Sequence, residues 1–156
     1  MRKPKGKIRK RIYYDFKALD WSASHNFGIN YYFEDKGSER VGCNSSLNIS
    51  CQIISPQIKN INYCNMVLFA SFEFEKHLSQ DTLTGKVNHI GFIQKQRGKD
   101  HITFYVSLPL YIFNSLHALL GFNKTTKFSV FADELRYGTG SIYYVSFNEN
   151  EYESTD

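Results

Sequence analysis

The sequence predicts a β-rich α+β domain, in which a mostly antiparallel sheet of about eight strands forms a sandwich or a partly open barrel, with a single helix near 109–120. Apolar and polar residues alternate with a period of two along most of the chain, as in strands with one buried face. One segment instead has apolar residues at helical spacing. With 156 residues, 42% of them hydrophobic, the chain has the size of one domain.

The strands are predicted from alternation bounded by turn residues such as Ser55-Pro56 and Gly138. The long alternating run 41–53 exceeds the usual strand length of roughly 3–10 residues, so we expect a bend or bulge near Ser45-Ser46. In chain order, the predicted strands cover residues 12–18, 27–33, 41–53, 66–75, 87–96, 101–108, 128–132 and 142–147.

The fifth and sixth strands are predicted to form a hairpin around the turn at 97–100. If the turn closes with Gln96 opposite His101, Phe92 faces Tyr105 on one side of the hairpin. Both faces then carry apolar residues. We therefore expect the second face to be covered by another layer, a helix or a partner.

The helix is predicted from its end signals as well as from its apolar stripe. Pro109 suits a first helical turn, and Gly121 suits the position after the last turn. Because the other strands are linked by turns, we expect the helix to cover an open end of the sheet rather than cross over to a parallel strand.

Positive charge is concentrated at the start of the chain. The net charge is +4, but seven of the 19 basic residues lie within the first eleven positions. We therefore divide the chain into a flexible basic arm at 1–11, a single β-rich domain at 12–148 and an acidic tail at 149–156. The arm could bind nucleic acid, act as an import signal, contact acidic lipid headgroups or only solubilise the protein.

The predicted compartment is the cytoplasm. Three cysteines cannot all pair within one chain, which favours a reducing environment. No signal peptide is predicted, because no long apolar run follows the basic start. No transmembrane segment is predicted, because the apolar runs are far shorter than the roughly 18 residues needed.

No catalytic residues, metal site or cofactor is predicted. Cys43 and Cys51 share the apolar parity of a strand, where we expect them to be buried. Cys64 is expected to lie in a loop and to be more exposed. The histidines His77, His89, His101 and His117 lack the paired spacing that zinc sites use.

Three functions are carried forward. The first is a non-enzymatic protein that binds a protein partner, as an inhibitor, immunity or adaptor protein does. It is favoured because no catalytic set is found, the hairpin is apolar on both faces, and outward tyrosines are typical of interfaces. The second is nucleic-acid binding led by the arm. The third is an enzyme using Cys64 or a histidine cluster. The interface candidates are Phe92, Gln94, Thr103, Tyr105, Tyr13 and Tyr32, and the nucleic-acid candidates are Arg2, Lys3, Lys5, Lys7, Arg9, Lys10, Arg11, Lys95, Arg97 and Lys99.

Overall fold

The computed structural model describes residues 9–30, 40–71, 89–123 and 127–148, and within these ranges it contains seven strands and one helix. The β-rich fold with a helix near 109–120 is confirmed. The elements are β1 (Arg11–Asn30), β2 (Arg40–Ser55), β3 (Tyr63–Ala70), β4 (Gly91–Lys95), β5 (Ile102–Leu108), α1 (Leu110–Gly121), β6 (Lys127–Asp133) and β7 (Thr139–Asn148).

The seven strands close into a barrel in the order β1-β2-β3-β5-β4-β7-β6, with β6 pairing back to β1. Neighbours in a fully antiparallel barrel must alternate in direction. An odd number of strands cannot do so around a closed ring. The barrel therefore requires a parallel pair, and this is β3 with β5, while the other six pairings are antiparallel.

The strand count differs from the prediction because one strand was divided in two. The predicted strand 12–18 and the described part of the predicted strand 27–33 both belong to the single strand β1. Residues 31–33 lie outside the described residues. Pairing with β2 skips Leu19, so the parity of the inward residues changes there without a turn. The bulge expected near Ser45-Ser46 is absent, since both residues pair in regular register with β1.

The barrel interior is filled by side chains, as expected for a small barrel. Tyr14 and Phe16 on β1 both meet Phe104 on β5 edge to face, with ring centroids 5.5 and 4.8 Å apart. Aliphatic side chains from the other strands complete the core. They include Leu47, Ile49, Met66, Leu68, Ile93, Val106, Val130 and Ile142.

The helix covers one end of the barrel, as predicted. It begins after Pro109, and Phe113, Leu116 and Leu120 are buried in the same apolar cluster as the barrel interior. The His25 ring on β1 lies 6.2 Å from that of Phe113. No helix in the described ranges is long and apolar enough to cross a bilayer.

The β4–β5 hairpin has the register predicted from its turn. Phe92 faces Tyr105, and the Gln96 N–H donates to the His101 carbonyl oxygen at 3.1 Å. The strand bounds differ from the prediction: β4 starts at Gly91, and β3 starts at Tyr63, three residues earlier than predicted, and ends at Ala70. Residues 72–75 and 87–88 of the predicted strands lie outside the described residues, as do residues 1–8 and the acidic tail at 149–156.

Candidate functional site

Three aromatic side chains form a row on the outside of the barrel, across β3, β5 and β4. The Tyr105 ring lies between those of Phe69 and Phe92, at centroid distances of 6.5 and 4.8 Å and interplanar angles of 7° and 24°. Phe69 and Phe92 are 41% and 48% exposed, and Tyr105 is half-buried. We call this row, with the outward side chains of the same three strands, the aromatic face.

The aromatic face carries no charge in the described residues. Its other outward side chains are amides, aliphatic hydroxyls, one valine and one tyrosine, and the outward residues of the flanking strands β2 and β7 are also uncharged. These residues are Tyr63, Asn65, Val67, Thr103, Ser107 and Gln94 on the face, and Ser46, Asn48, Ser50, Gln52, Thr139 and Ser141 beside it.

Gln94 lies between two shallow cavities on this face. A cavity of about 180 Å³ is lined by Gln94, His101 and Tyr105, and one of about 320 Å³ by Gln94, Phe92 and Arg9. The Thr103 hydroxyl lies 3.3 Å from the Nε2 atom of His101 at the floor of the smaller cavity. The aromatic face therefore combines an exposed row of rings with two concave sites.

Of the six interface candidates, four lie together on this face. Phe92 and Gln94 are exposed and Tyr105 is half-buried, whereas Thr103 is only 8% exposed and offers little surface to a partner. Tyr13 is exposed but lies apart on β1, where its ring centroid is 4.7 Å from that of Phe131. Tyr32 lies outside the described residues.

Phe69 belongs to the face but is not among the sequence candidates. The signal for it was present in the alternation. Met66 and Leu68 are buried in the core, so Val67 and Phe69 have the outward parity. The alternation does not show that Phe69 lies beside Tyr105. That neighbourhood depends on the pairing of β3 with β5, which joins residues distant in sequence.

A second surface lies at the barrel end opposite α1, which we call the basic end. It consists of the start of β1, the turn after β2, the β4–β5 turn and the β6–β7 turn. The strand pairings bring these segments together at one end of the barrel. It contains eight of the eleven Lys and Arg residues in the described ranges, namely Arg9, Lys10, Arg11, Lys59, Lys95, Arg97, Lys99 and Arg136.

The last residues of the predicted basic arm are held against β7 in the structure. The Arg9 Nη1 atom donates to the Thr139 carbonyl oxygen at 3.0 Å. The Arg11 guanidinium lies 4.0 Å from the centre of the Tyr143 ring, and its Nε is 4.0 Å from Asp133. The candidates Arg2, Lys3, Lys5 and Lys7 lie outside the described residues.

The acidic groups near the basic end are partly engaged by neighbours. The Asp133 carboxylate is buried and accepts hydrogen bonds from the Ser141 N–H at 3.1 Å and the Tyr143 hydroxyl at 3.0 Å. Asp15 accepts hydrogen bonds from the hydroxyls of Ser55 and Ser129. These contacts hold both carboxylates in the barrel wall.

A cavity of about 510 Å³ opens at the basic end. Ile12, Tyr14 and Leu135 contribute apolar surface, and the Tyr14 hydroxyl accepts a hydrogen bond from the Leu135 N–H at 3.0 Å. Burial raises the pKa of Tyr14, so its hydroxyl stays protonated at neutral pH. Lys10, Lys59 and Lys95 also line the cavity.

The expectation that Cys64 lies in a loop is wrong. Cys64 is buried on β3, directly opposite Cys51 on β2, and shares the inward parity of Met66. A hydrogen bond with Cys51 and burial raise the pKa of the Cys64 thiol, which therefore carries little thiolate at neutral pH. The side chain of Cys43 lies outside the described part.

The four histidines that the structure describes do not assemble with other ligating groups. The rings of His25 and His117 stack at 5.4 Å, and Trp21 meets His117 edge to face. Among the described side chains, no three His, Cys, Asp or Glu residues lie close enough to hold a metal ion. His77 lies outside the described residues.

Comparisons with protein-family models, with curated proteins and with solved structures found no match to this chain.

Proposed function

We propose that this protein is a small non-enzymatic binding protein that contacts a protein partner through the aromatic face, as inhibitor, immunity or adaptor proteins do. The row formed by Phe69, Tyr105 and Phe92 on an uncharged surface supports the proposal. We place this activity in the cytoplasm, where the unpaired thiols of Cys51 and Cys64 stay reduced.

The composition of the aromatic face fits the centre of a protein interface. Such centres are enriched in aromatic side chains and depleted of charge, because burying an unpaired charge is costly. A surface that binds nucleic acid along its length would need lysine or arginine beside the rings. Among the side chains that the structure describes, the outward positions of β2, β3, β4, β5 and β7 carry neither, and Arg9 borders the face where it lines the cavity of about 320 Å³ beside Phe92.

The partner is expected to bind by side-chain contacts rather than by adding a strand. β3, β5 and β4 each have a hydrogen-bonded neighbour on both sides, so none of them offers a free edge. The two cavities beside Gln94 can accommodate side chains of the partner. The Gln94 amide, which lines both cavities, can donate hydrogen bonds to the partner and accept them from it.

The energy available from Phe92 is large enough to test. It is 48% exposed, so a partner would cover on the order of 100 Å² of its surface. At about 25 cal/mol per Å², this contributes about 2.5 kcal/mol. Replacing Phe92 by serine should therefore weaken partner binding roughly 50-fold.

The experiment is affinity capture of the tagged protein from its native cells, with and without nuclease, followed by calorimetry with the purified partner. Wild type is compared with Phe92→Ser and with Phe122→Ser, a matched control. Phe122 is 76% exposed after the end of α1, away from the aromatic face. We expect a nuclease-resistant partner whose affinity falls only with Phe92→Ser.

Equal binding by wild type and Phe92→Ser would overturn the proposal. So would a captured partner that disappears after nuclease treatment, because the contact would then depend on nucleic acid. Circular dichroism of each variant checks that the fold is retained.

A further inference from the structure

The basic end has the charge of a polyanion site. Its eight described basic residues face only four acidic ones, Asp15, Asp100, Asp133 and Glu134. Asp15 and Asp133 are hydrogen bonded to the barrel, and Glu134 lies 3.8 Å from Arg136. Four further basic residues precede Arg9 in the sequence. Within the described residues, the positive charge thus converges on one end of the barrel.

The cavity at this end has the size and composition of a ligand site. Its volume of about 510 Å³ lies within the range of roughly 300–1,000 Å³ for small-molecule sites. An apolar floor that includes Ile12 and Leu135 is combined with three lysines, Lys10, Lys59 and Lys95, and with one carboxylate, Glu134. This combination suits a ligand with a flat apolar part and adjacent anionic groups.

Tyr137 adds an aromatic ring beside the cavity. The side chain is fully exposed, and its φ of 54° is a left-handed conformation that tyrosine rarely adopts. Lys59, on the facing turn, also has a positive φ, of 45°. Two strained turns therefore present an exposed ring and a lysine at the mouth of one cavity.

We propose that the basic end binds single-stranded nucleic acid, with phosphates contacting Lys10, Lys59 and Lys95 and one unpaired base entering the cavity against Tyr137. Stacking on exposed rings beside basic groups is how proteins bind single strands. A duplex offers no such base. α1 lies at the opposite barrel end, so it is not available there to enter a major groove.

This site is separate from the aromatic face, and the two can be tested independently. Arg9 lines the 320 Å³ cavity on that face, but Lys59 and Tyr137 lie in turns at the barrel end. A variant at Lys59 or Tyr137 should therefore leave the binding of a protein partner to Phe92 unchanged.

The probe is a fluorescein-labelled 20-nucleotide oligothymidylate, titrated with the full chain in 50 and 200 mM KCl and followed by anisotropy. If about five phosphates are contacted, the slope of log affinity against log salt is about −3.5, and affinity falls about 100-fold between the two salt concentrations. A 20-base-pair duplex should bind more weakly, although it carries the higher charge density.

Two pairs of variants locate the site. The double variant Lys59→Gln/Lys95→Gln should make the slope of log affinity against log salt shallower by about 1.4. The control Lys17→Gln/Lys127→Gln removes the same charge from a paired position on β1 and β6, and it should leave the slope unchanged. Tyr137→Ala should weaken binding about tenfold, and Tyr137→Phe, which keeps the ring, should retain it.

The proposal is overturned if the oligonucleotide does not bind in 50 mM KCl, or if both double variants weaken binding equally. Equal affinity for the duplex overturns the insertion of a base. Binding to phosphatidylserine vesicles but not to the oligonucleotide would assign the basic end to a membrane surface instead. Thermal unfolding of every variant separates loss of binding from loss of fold.

Discussion

Among the glycines whose surroundings the structure describes, Gly91 leaves the least room for an added methyl group, and the substitution Gly91→Ala tests this close approach of β4 to β5. Gly91 pairs with Val106 on β5 and with Ile142 on β7. A methyl group added at Gly91 would collide with the carbonyl oxygen of Tyr105, which belongs to the backbone and cannot rotate away. β4 or β5 would have to move.

The cost of that movement follows from the contacts that hold β4 in place. The Ile90 N–H donates to the Ile142 carbonyl oxygen at 2.8 Å, and the Ser107 N–H donates to the Ile90 carbonyl oxygen at 2.9 Å. Both hydrogen bonds flank Gly91, so displacing β4 weakens them. Overpacking against backbone costs about 3 kcal/mol, at the upper end of its usual range. In a chain of this length, we expect the Tm to fall by roughly 6–12 °C.

Thermal and urea unfolding followed by circular dichroism measure this change. Gly121→Ala is the matched control, because a methyl group at Gly121 meets nothing within 4 Å and alanine favours the helix by up to about 1 kcal/mol. If Gly91→Ala unfolds within 2 °C of wild type, β4 does not approach β5 as closely as described. Because Gly91 precedes Phe92, Gly91→Ala should also weaken binding to a protein partner.

Two further predictions concern buried polar groups. Tyr14→Phe removes the acceptor of the Leu135 N–H and should lower the free energy of unfolding by about 1–2 kcal/mol, and an unchanged urea midpoint would contradict the hydrogen bond. Cys64 should resist iodoacetamide in the folded protein at pH 8 and react in urea. Because its pKa is raised by folding, the unfolded chain loses the thiol proton first as pH rises. Stability should therefore decline above about pH 9, by up to about 1.4 kcal/mol per pH unit from this group. Cys64→Ala should remove the decline between about pH 9 and 10, below the range in which the raised pKa of Tyr14 contributes, and a decline that persists there in the variant would assign it to other groups.

Local pattern predicted those parts of the fold that depend on neighbours in sequence. The turn at 97–100 fixed the register that places Phe92 opposite Tyr105, and Pro109 marked the start of the helix. Parity failed at Leu19, where a bulge and a chain reversal change the alternation in the same way. Only the pairing of β1 with β2 distinguishes the two.

The candidate surfaces were harder to predict from the sequence, because they depend on pairing between distant segments. Phe69 joins Tyr105 only through the parallel β3–β5 pair. The sequence shows the basic arm, but Lys59, Lys95 and Arg136 meet near its last residues only because the barrel closes. Cys64 was misplaced for a related reason, since its partner Cys51 lies across a turn whose length gives no register.

The closing contact of the barrel also sets the order in which the chain can fold. β1 is completed by β6, and the Tyr14 hydroxyl donates to the Asp133 carbonyl oxygen across 119 residues of chain. During synthesis, a chain that has emerged only as far as α1 lacks the two strands that fill the gap between β1 and β4. Its core residues stay accessible to water until the last hairpin arrives. Pairings of such long range slow folding and extend the time during which unpaired strands can aggregate.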